Sequence, residues 1–383
     1  MYNLIFALLF LKPSIKKKDL PGQIGRLITG FLISFLLFYF GNVDRSISLI
    51  IATLWIPAIF QVVFALVGGA VRKWEQRDNE GLIAIVTIVM FLGSIFYNSY
   101  PYITGGAKNL SKMVNVKEST EKVSKIAAEH VIVIAPETAY YEMQKMLGSL
   151  PNPSAYKIGE LGVTMSKGEA CYIAPIEVDG NIKALSKGEI PGVMYVSAER
   201  PEEAKIINVT SKVANSLVFS KDLQRYLRKN KPSVILFQAN AELDDEGNPY
   251  FIGSYGHYKY GRTGQVIEGV LLVSFKDGKV TDYPKNKVPE WVDEIYPSDV
   301  AENYNSYFGT LTKGLFNKII SKDGVHVPTT WASETTVNGL QVNSNEVTGV
   351  IDADGRMKWF TDHTNTSEAS TTMTGYSLME KVE

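Results

Sequence analysis

The side chains that could do chemistry in this chain are few and widely spaced. The four histidines, His130, His257, His326 and His363, show no H-x-x-x-H or HExxH spacing that would set two imidazoles on one helix face for a metal. Cys171 with His130, His257 or His326 would make a nucleophile and its base if they met in space. In ACYIAPIEV, however, Cys171 falls in an alternating strand, where a lone thiol serves as a small buried hydrophobe. A single cysteine also excludes an intramolecular disulfide and a multi-cysteine metal site. With no G-x-S-x-G elbow and no P-loop, hydrolase chemistry has no anchor, and no catalytic, cofactor-binding or metal-ligating residue is assigned.

Two acidic turns offer clustered oxygens to calcium: LDDEGN, with Asp244, Asp245, Glu246 and Asn248, and DADG, with Asp352 and Asp354. Neither continues as an EF-hand loop, and an acidic-Gly pair in a hairpin turn needs no metal. The strongest surface is YFIGSYGHYKYGRTGQ, Tyr250 to Gln265, loosened by Gly253, Gly256, Gly261 and Gly264. There Tyr255, His257, Tyr258, Lys259, Tyr260 and Arg262 would present aromatic and cationic groups to an anionic envelope polymer, a lipid headgroup or a partner protein. The bland alternative is an exposed hairpin whose tyrosines pair across strands and whose cations solvate it.

The elements that carry these residues begin with three long apolar segments, Ile24 to Val43, Leu49 to Val71 and Leu82 to Tyr102. Each has about 20 residues, enough for an α-helix to cross hydrocarbon with its backbone satisfied, so the sequence predicts three transmembrane helices over 24–102. Lys12, Lys16, Lys17, Lys18, Arg26, Arg72, Lys73 and Arg77 flank one side, against Arg45, Lys108, Lys112 and Lys117 on the other. Eight against four predicts a cytoplasmic amino terminus and an extracytoplasmic carboxy-terminal part in the plasma (inner) membrane. Trp74 and the tyrosines Tyr97, Tyr100 and Tyr102 stand where interfacial aromatics belong. Residues 1–23 read as a cytoplasmic or interfacial segment, because Tyr2 to Leu11 is too short to span and its lysines follow the apolar run, unlike a signal peptide.

Within the spans, Gln61 lies four residues after Pro57 and reads as a packing hydrogen bond or as a polar contact in a pathway. Acids and bases are absent from the span centres, so transport is not supported. Ala65 and Gly69 form a small-residue pair through which a homo-oligomer would pack. A net charge of −1 offers no basic field, which sets nucleic acid aside as a partner.

Past a linker at 103–125 the chain repeats itself. GVMYV starts at Gly192, GVLLV at Gly269 and GVIDA at Gly349, spacings of 77 and 80 residues. A helical stretch precedes each, from Thr138, Asn215 and Ser298, with a β-rich segment between. Asp179-Gly180, Glu246-Gly247, Asp277-Gly278, Asn338-Gly339 and Asp354-Gly355 supply hairpin turns. The predicted fold class is a membrane-anchored α+β protein with three helix-plus-antiparallel-sheet modules, 126–210, 211–288 and 289–383.

In the second copy, EGNPYFIGSY followed by GVLLVSFKDGKV resembles the PepSY module of bacterial extracytoplasmic proteins, with its Gly-bearing turn, aromatic strand and apolar strand ending in an acidic-Gly turn. The resemblance implies a non-catalytic module that binds or restrains partners such as proteases, or supports envelope regulation. The stretch VPEWVDEIYPSDVAENYNSYFGTLTKG from Val288 is also similar to uncharacterised bacterial membrane proteins. The expectation is a binding or scaffolding protein of the cell envelope, without cofactor, whose partners are the lipid bilayer and an envelope protein or polymer. The alternatives are a sensor or regulatory subunit acting on a membrane protease or kinase, and an envelope enzyme.

Overall fold

A computed structural model describes residues 1–12, 20–71, 80–103, 105–114, 131–329, 335–337, 340–342, 347–351, 356–366 and 372–379. Lys16–Lys18, Arg72, Lys73, Trp74, Arg77, Lys117, His130, most of the 103–125 linker and the turns Asn338-Gly339 and Asp354-Gly355 lie outside them. The chain forms two compact units. The first comprises Met1–Asn109, Pro232–Ile235 and Tyr258–Gly264; the second comprises Leu110–Lys231, Leu236–His257 and Gln265–Glu383.

In the first unit, α1 (Tyr2–Leu8) is followed by α2 (Leu20–Phe35), which runs on through a π-helical turn, Leu36–Phe40. Then come α3 (Ile47–Ala52), α4 (Trp55–Val71) and α5 (Glu80–Ser99), while α6 (Gly106–Ser111) straddles the boundary between units. Among the described residues two helices, Leu20–Phe40 and Gly81–Ser99, are long and apolar enough to cross a membrane, one of them near the amino terminus.

The second predicted span is not one helix, which corrects the expectation of three. It breaks after Ala52, leaving Trp55–Val67 as a shorter apolar helix. The cause is local. Pro57 has no N–H, and its ring would clash with the carbonyl of Thr53 if the helix ran straight through. Thr53 instead leaves helical geometry (φ −105°, ψ 11°) and turns its hydroxyl back onto the Leu49 carbonyl at 2.7 Å. Pro57 then sits in the first turn of α4, where a missing N–H leaves no intrahelical bond unmade.

Apolar side chains coat the outer faces of these helices. Ile59, Val62, Val63, Leu66 and Val67 on α4 are all exposed, as are Ile85, Ile88, Val89, Leu92 and Ile95 on α5, each set at helical spacing. Soluble monomers rarely leave contiguous apolar faces of this kind in water.

The short amino-terminal run is helical, and it is packed inside the first unit. Phe6 and Phe10 are fully buried against Phe38, Leu49 and Ile50. Gly30 makes this packing possible, since a Cβ there would stand 2.8 Å from the Cα and carbonyl oxygen of Ala7. The carbonyls of the stretch that follows α1, Leu9 to Lys12, are taken by side chains. Gln61 donates to Leu11 at 2.9 Å and Leu9 at 3.3 Å, Arg26 to Phe10 at 3.3 Å, and Gln23 to Lys12 at 3.0 Å. Arg26 also donates to the Gln61 side-chain amide oxygen, Oε1, so the buried glutamine closes a packing network.

The second unit is α+β with antiparallel sheets. After α7 (Pro136–Leu147) come β1 (Tyr156–Ile158), β2 (Gly162–Ser166), β3 (Glu169–Val178), α8 (Asn181–Lys187), β4 (Val193–Ser197) and β5 (Lys205–Ile207). Their order is β1-β3-β4-β5, with β2 also on β3. Asp179-Gly180 opens α8 and is not the hairpin turn that its dipeptide suggested. Next, α9 (Leu223–Asn230) precedes β6 (Ile235–Leu243), β7 (Pro249–Tyr260), β8 (Thr263–Ser274) and β9 (Val280–Pro284), paired in sequence order. Glu246-Gly247 and Asp277-Gly278 lie at turns of this meander, with both glycines in the left-handed region.

Finally, α10 (Ser298–Leu311) leads to β10 (His326–Pro328), a short pair β11 (Thr335–Val337) and β12 (Leu340–Val342), then β13 (Thr348–Ile351), β14 (Met357–Asn365) and β15 (Met373–Met379). Here β14 is central, flanked by β10, β13 and β15. The three GV segments therefore differ in place: β4 and β8 each pair with the next strand on one side and an earlier strand on the other, whereas β13 pairs with β14. Nor does each sheet keep a separate core. Ala139 and Met143 of α7 pack with Tyr172, Ile176, Met194 and Val196, and with Ile351 and Met357 from the third sheet.

Candidate functional site

The long hairpin of β7 and β8 begins in the second unit and turns, at Gly261-Arg262, in the first. Gly261 is required there. Its φ is +58°, and a Cβ would lie 2.7 Å from the Tyr97 carbonyl oxygen. The tip is held by hydroxyls: Tyr97 donates to Ser48 at 2.9 Å, and Ser48 donates to the Gly261 carbonyl at 3.0 Å. Beside it the Tyr102 and Thr263 hydroxyls are 3.2 Å apart.

The centre of this arrangement is a two-pronged ion pair. Arg262 donates from Nη1 and Nη2 to Asp44 at 3.0 and 2.8 Å, with its guanidinium 4.6 Å from the Tyr258 ring centroid. Asp44, with its side chain only 4% exposed, lies between the π-helical turn and α3. Its other partner is the Ser46 hydroxyl, and Ser46 in turn caps α3 by accepting from the Leu49 N–H at 3.1 Å. The fork of guanidinium and carboxylate fixes direction as well as distance, which a lysine would not do.

Of the six predicted surface residues, Arg262 meets Tyr258 and Lys259 approaches Tyr260, but the six do not share one face. Successive side chains of a strand point to opposite faces, so Tyr255, His257 and Lys259 are set apart from Tyr258 and Tyr260. Tyr255 is buried, its hydroxyl donating to Asp282 at 2.7 Å, with the Lys231 ammonium 4.2 Å from its ring and 2.7 Å from the same carboxylate. His257 pairs across the hairpin with Glu268 at 2.9 Å. Lys259 is exposed, 5.7 Å from the Tyr260 ring, and Arg262 is engaged by Asp44.

The other sequence candidates occupy structural positions. Asp244 accepts from the backbone of Glu246 and Asn248 at 3.1 and 2.7 Å and from the Asn248 amide, which builds the turn itself. Asp352 and Asp354 lie outside the described residues, among which no three His, Cys, Asp or Glu side chains are grouped to hold a metal. His326 bonds Thr374 and His363 bonds Ser377, each at 3.0 Å.

Cys171 is buried on β3 and donates to the Thr164 carbonyl at 3.5 Å. Burial, with Glu169, Asp293 and Glu199 nearby, pushes its thiol up to about 12, so almost none is thiolate at neutral pH. In the folded chain at pH 8, iodoacetamide is expected to label Cys171 at least ~100-fold more slowly than in denaturant, read by mass spectrometry. Equal rates would show that the thiol is accessible and ionised.

A buried acidic cluster was not anticipated. Glu242, 1% exposed on β6, accepts the backbone N–H groups of Asp293 and Glu294 at 2.8 and 3.0 Å. Glu294 receives the Asn240 amide, and Asp293 takes the Met165 N–H at 2.8 Å and the Thr164 hydroxyl at 3.1 Å. The WVDEIYP segment is thereby stapled to β2 and β6 within the second unit. Burial and the carboxylates of Glu160, Asp293 and Asp299 push Glu294 up to about 7, and burial with Asp293 and Glu294 raises Glu242 well above the carboxylate range.

No family model, curated protein or solved structure matches this chain. Its site is described by its own geometry alone. That geometry offers a clamped hairpin tip with an exposed lysine, and an acidic staple whose protonation is coupled to packing.

Proposed function

We propose that the protein is a membrane-anchored, non-catalytic binding or scaffolding element of the cell envelope. The observation that carries this reading is the ion pair of Arg262 with the buried Asp44, which fixes the tip of a β-hairpin among the apolar helices of the first unit. A group held in this way positions neighbouring side chains and carries no reactive atom of its own. The apolar coats of α2, α4 and α5 support a bilayer as the first partner, with α3 and α4 together making a bent third crossing. Bent helices of this kind are tolerated where neighbours satisfy the freed backbone, as Ser94 and Asn98 do here by donating to the Ala52 carbonyl at 2.6 and 3.1 Å.

With three crossings, the lysine and arginine asymmetry puts the second unit on the extracytoplasmic side. The PepSY-like pattern in β7 and β8 supports an envelope protein or polymer as the second partner, and Ala65 with Gly69 supports self-association. The regulatory-subunit reading has one observation in its favour: β7 and β8 link the second unit covalently to the clamped tip.

A photo-crosslinking amino acid in place of Lys259, activated in intact envelopes, tests the binding role. A discrete protein or polymer adduct, reduced when the tip is released by Arg262→Ala, is expected. Adducts to lipid alone would overturn it.

A further inference from the structure

After α10 the chain makes a short π-helical turn, Asn317–Ser321, whose apolar residues face outward. Phe316 is 78% exposed, Ile319 62% and Ile320 74%. Set three and one positions apart, they lie on one side of the turn, with Asn317, Lys318 and Ser321 on the other. An exposed cluster of large apolar side chains of this kind marks a surface that a partner covers.

Charge says what kind of partner. The one carboxylate in this stretch, Asp323, is paired with Lys313, which leaves Lys318, on the polar side of the turn, and Lys322, just after it, without a neighbouring acid in the segment. Apolar side chains flanked by lysines with long aliphatic stems match the boundary between acyl chains and anionic headgroups. A comparably exposed apolar turn occurs at α8, where Ile182 is 85% and Leu185 60% exposed, but there Lys183 pairs with Asp179 and Lys187 lies 5.3 Å from the Tyr156 ring. The two turns therefore differ in available charge.

We infer that Phe316, Ile319 and Ile320, with Lys318 and Lys322, form a lipid-binding turn that enters the headgroup region of an anionic bilayer. The inference rests on the membrane-anchored reading above. Tethering to that bilayer raises the local concentration of lipid, so a turn too short to bind membranes alone can do so here.

The test uses the full chain in nanodiscs, with Cys171→Ala and a single environment-sensitive fluorophore on Ile319→Cys. Nanodiscs with anionic phospholipid are expected to give blue-shifted emission and at least twofold quenching by a lipid-borne quencher. Both signals are expected to fall severalfold in purely zwitterionic nanodiscs and in the Lys318→Glu/Lys322→Glu variant, while the same probe on Ile182→Cys stays water-like. A water-like probe at Ile319 in anionic nanodiscs overturns the inference, as does equal quenching at both positions. A blue shift that grows with protein concentration and ignores lipid charge would assign the turn to a second copy instead. Failure of the membrane reading itself would appear separately, as a chain that stays soluble without nanodiscs or detergent.

Discussion

Replacing Arg262 with alanine is expected to destabilise the first unit by about 3–5 kcal/mol, because it strands the Asp44 carboxylate in a buried position with only the Ser46 hydroxyl beside it. The converse change should cost less. Asp44→Ala leaves a guanidinium whose side chain is already 22% exposed and can turn toward water. The double variant is expected to be milder than Arg262→Ala alone, since neither charge is then left buried. Arg262→Lys should recover only part of the loss, because an ammonium cannot occupy both carboxylate oxygens with the same fixed fork. Denaturant or thermal unfolding of the four variants in nanodiscs reads this order. A loss under ~0.5 kcal/mol for Arg262→Ala would place the pair among exposed, weakly coupled ion pairs.

Acidification from pH 8 to pH 5 is expected to stabilise the second unit. Glu294 titrates near 7 in the fold against an ordinary value of 4.5, so between those limits the folded state holds more protons than the unfolded one. Stability is then greatest below 4.5 and is lost as pH rises through about 7, a change of about 3 kcal/mol for this carboxyl. Glu242, shifted in the same direction, adds to it. His363 opposes it: burial lowers its affinity for a proton, so stability falls as the unfolded chain takes up that proton below 6.5. Glu294→Gln isolates the carboxyl's share by keeping an oxygen for the Asn240 amide while removing the charge. The variant is expected to be more stable than the parent at pH 8 and to show a flatter profile between pH 5 and 8, followed by thermal unfolding of the full chain. An unchanged profile would mean that Glu294 is already hydrated in the fold.

These two sites show what the sequence makes legible. Arg262 stands out as a cation in a Gly-rich turn, but its partner is 218 residues earlier, and nothing local links Asp44 to it. Glu242 follows the alternation of β6, where Phe237, Ala239, Ala241 and Leu243 point into the core and the even positions read as solvent-facing. The WVDEIYP segment covers the end of that face, so Glu242 is buried at a position where alternation alone points to solvent. The helices at Thr138, Asn215 and Ser298 were visible through their spacing, although the second helix begins only at Leu223, after Asp222 caps it by accepting from the Arg225 N–H. The broken second span shows the opposite balance: Pro57 was in view, and the hydropathy of Leu49 to Val71 outweighed it.

Whether the broken span completes a crossing decides which side the second unit occupies. If α3 and α4 complete a crossing, the chain crosses three times and its ends lie on opposite sides; if only Leu20–Phe40 and Gly81–Ser99 cross, the ends share one side. The direct measurement is external protease on intact, wall-stripped cells carrying one epitope tag before Met1 and another after Glu383. The account predicts that the carboxy-terminal tag is removed while the amino-terminal tag survives until lysis. Protection of both tags until lysis would contradict it, leaving two crossings and a second unit in the cytoplasm.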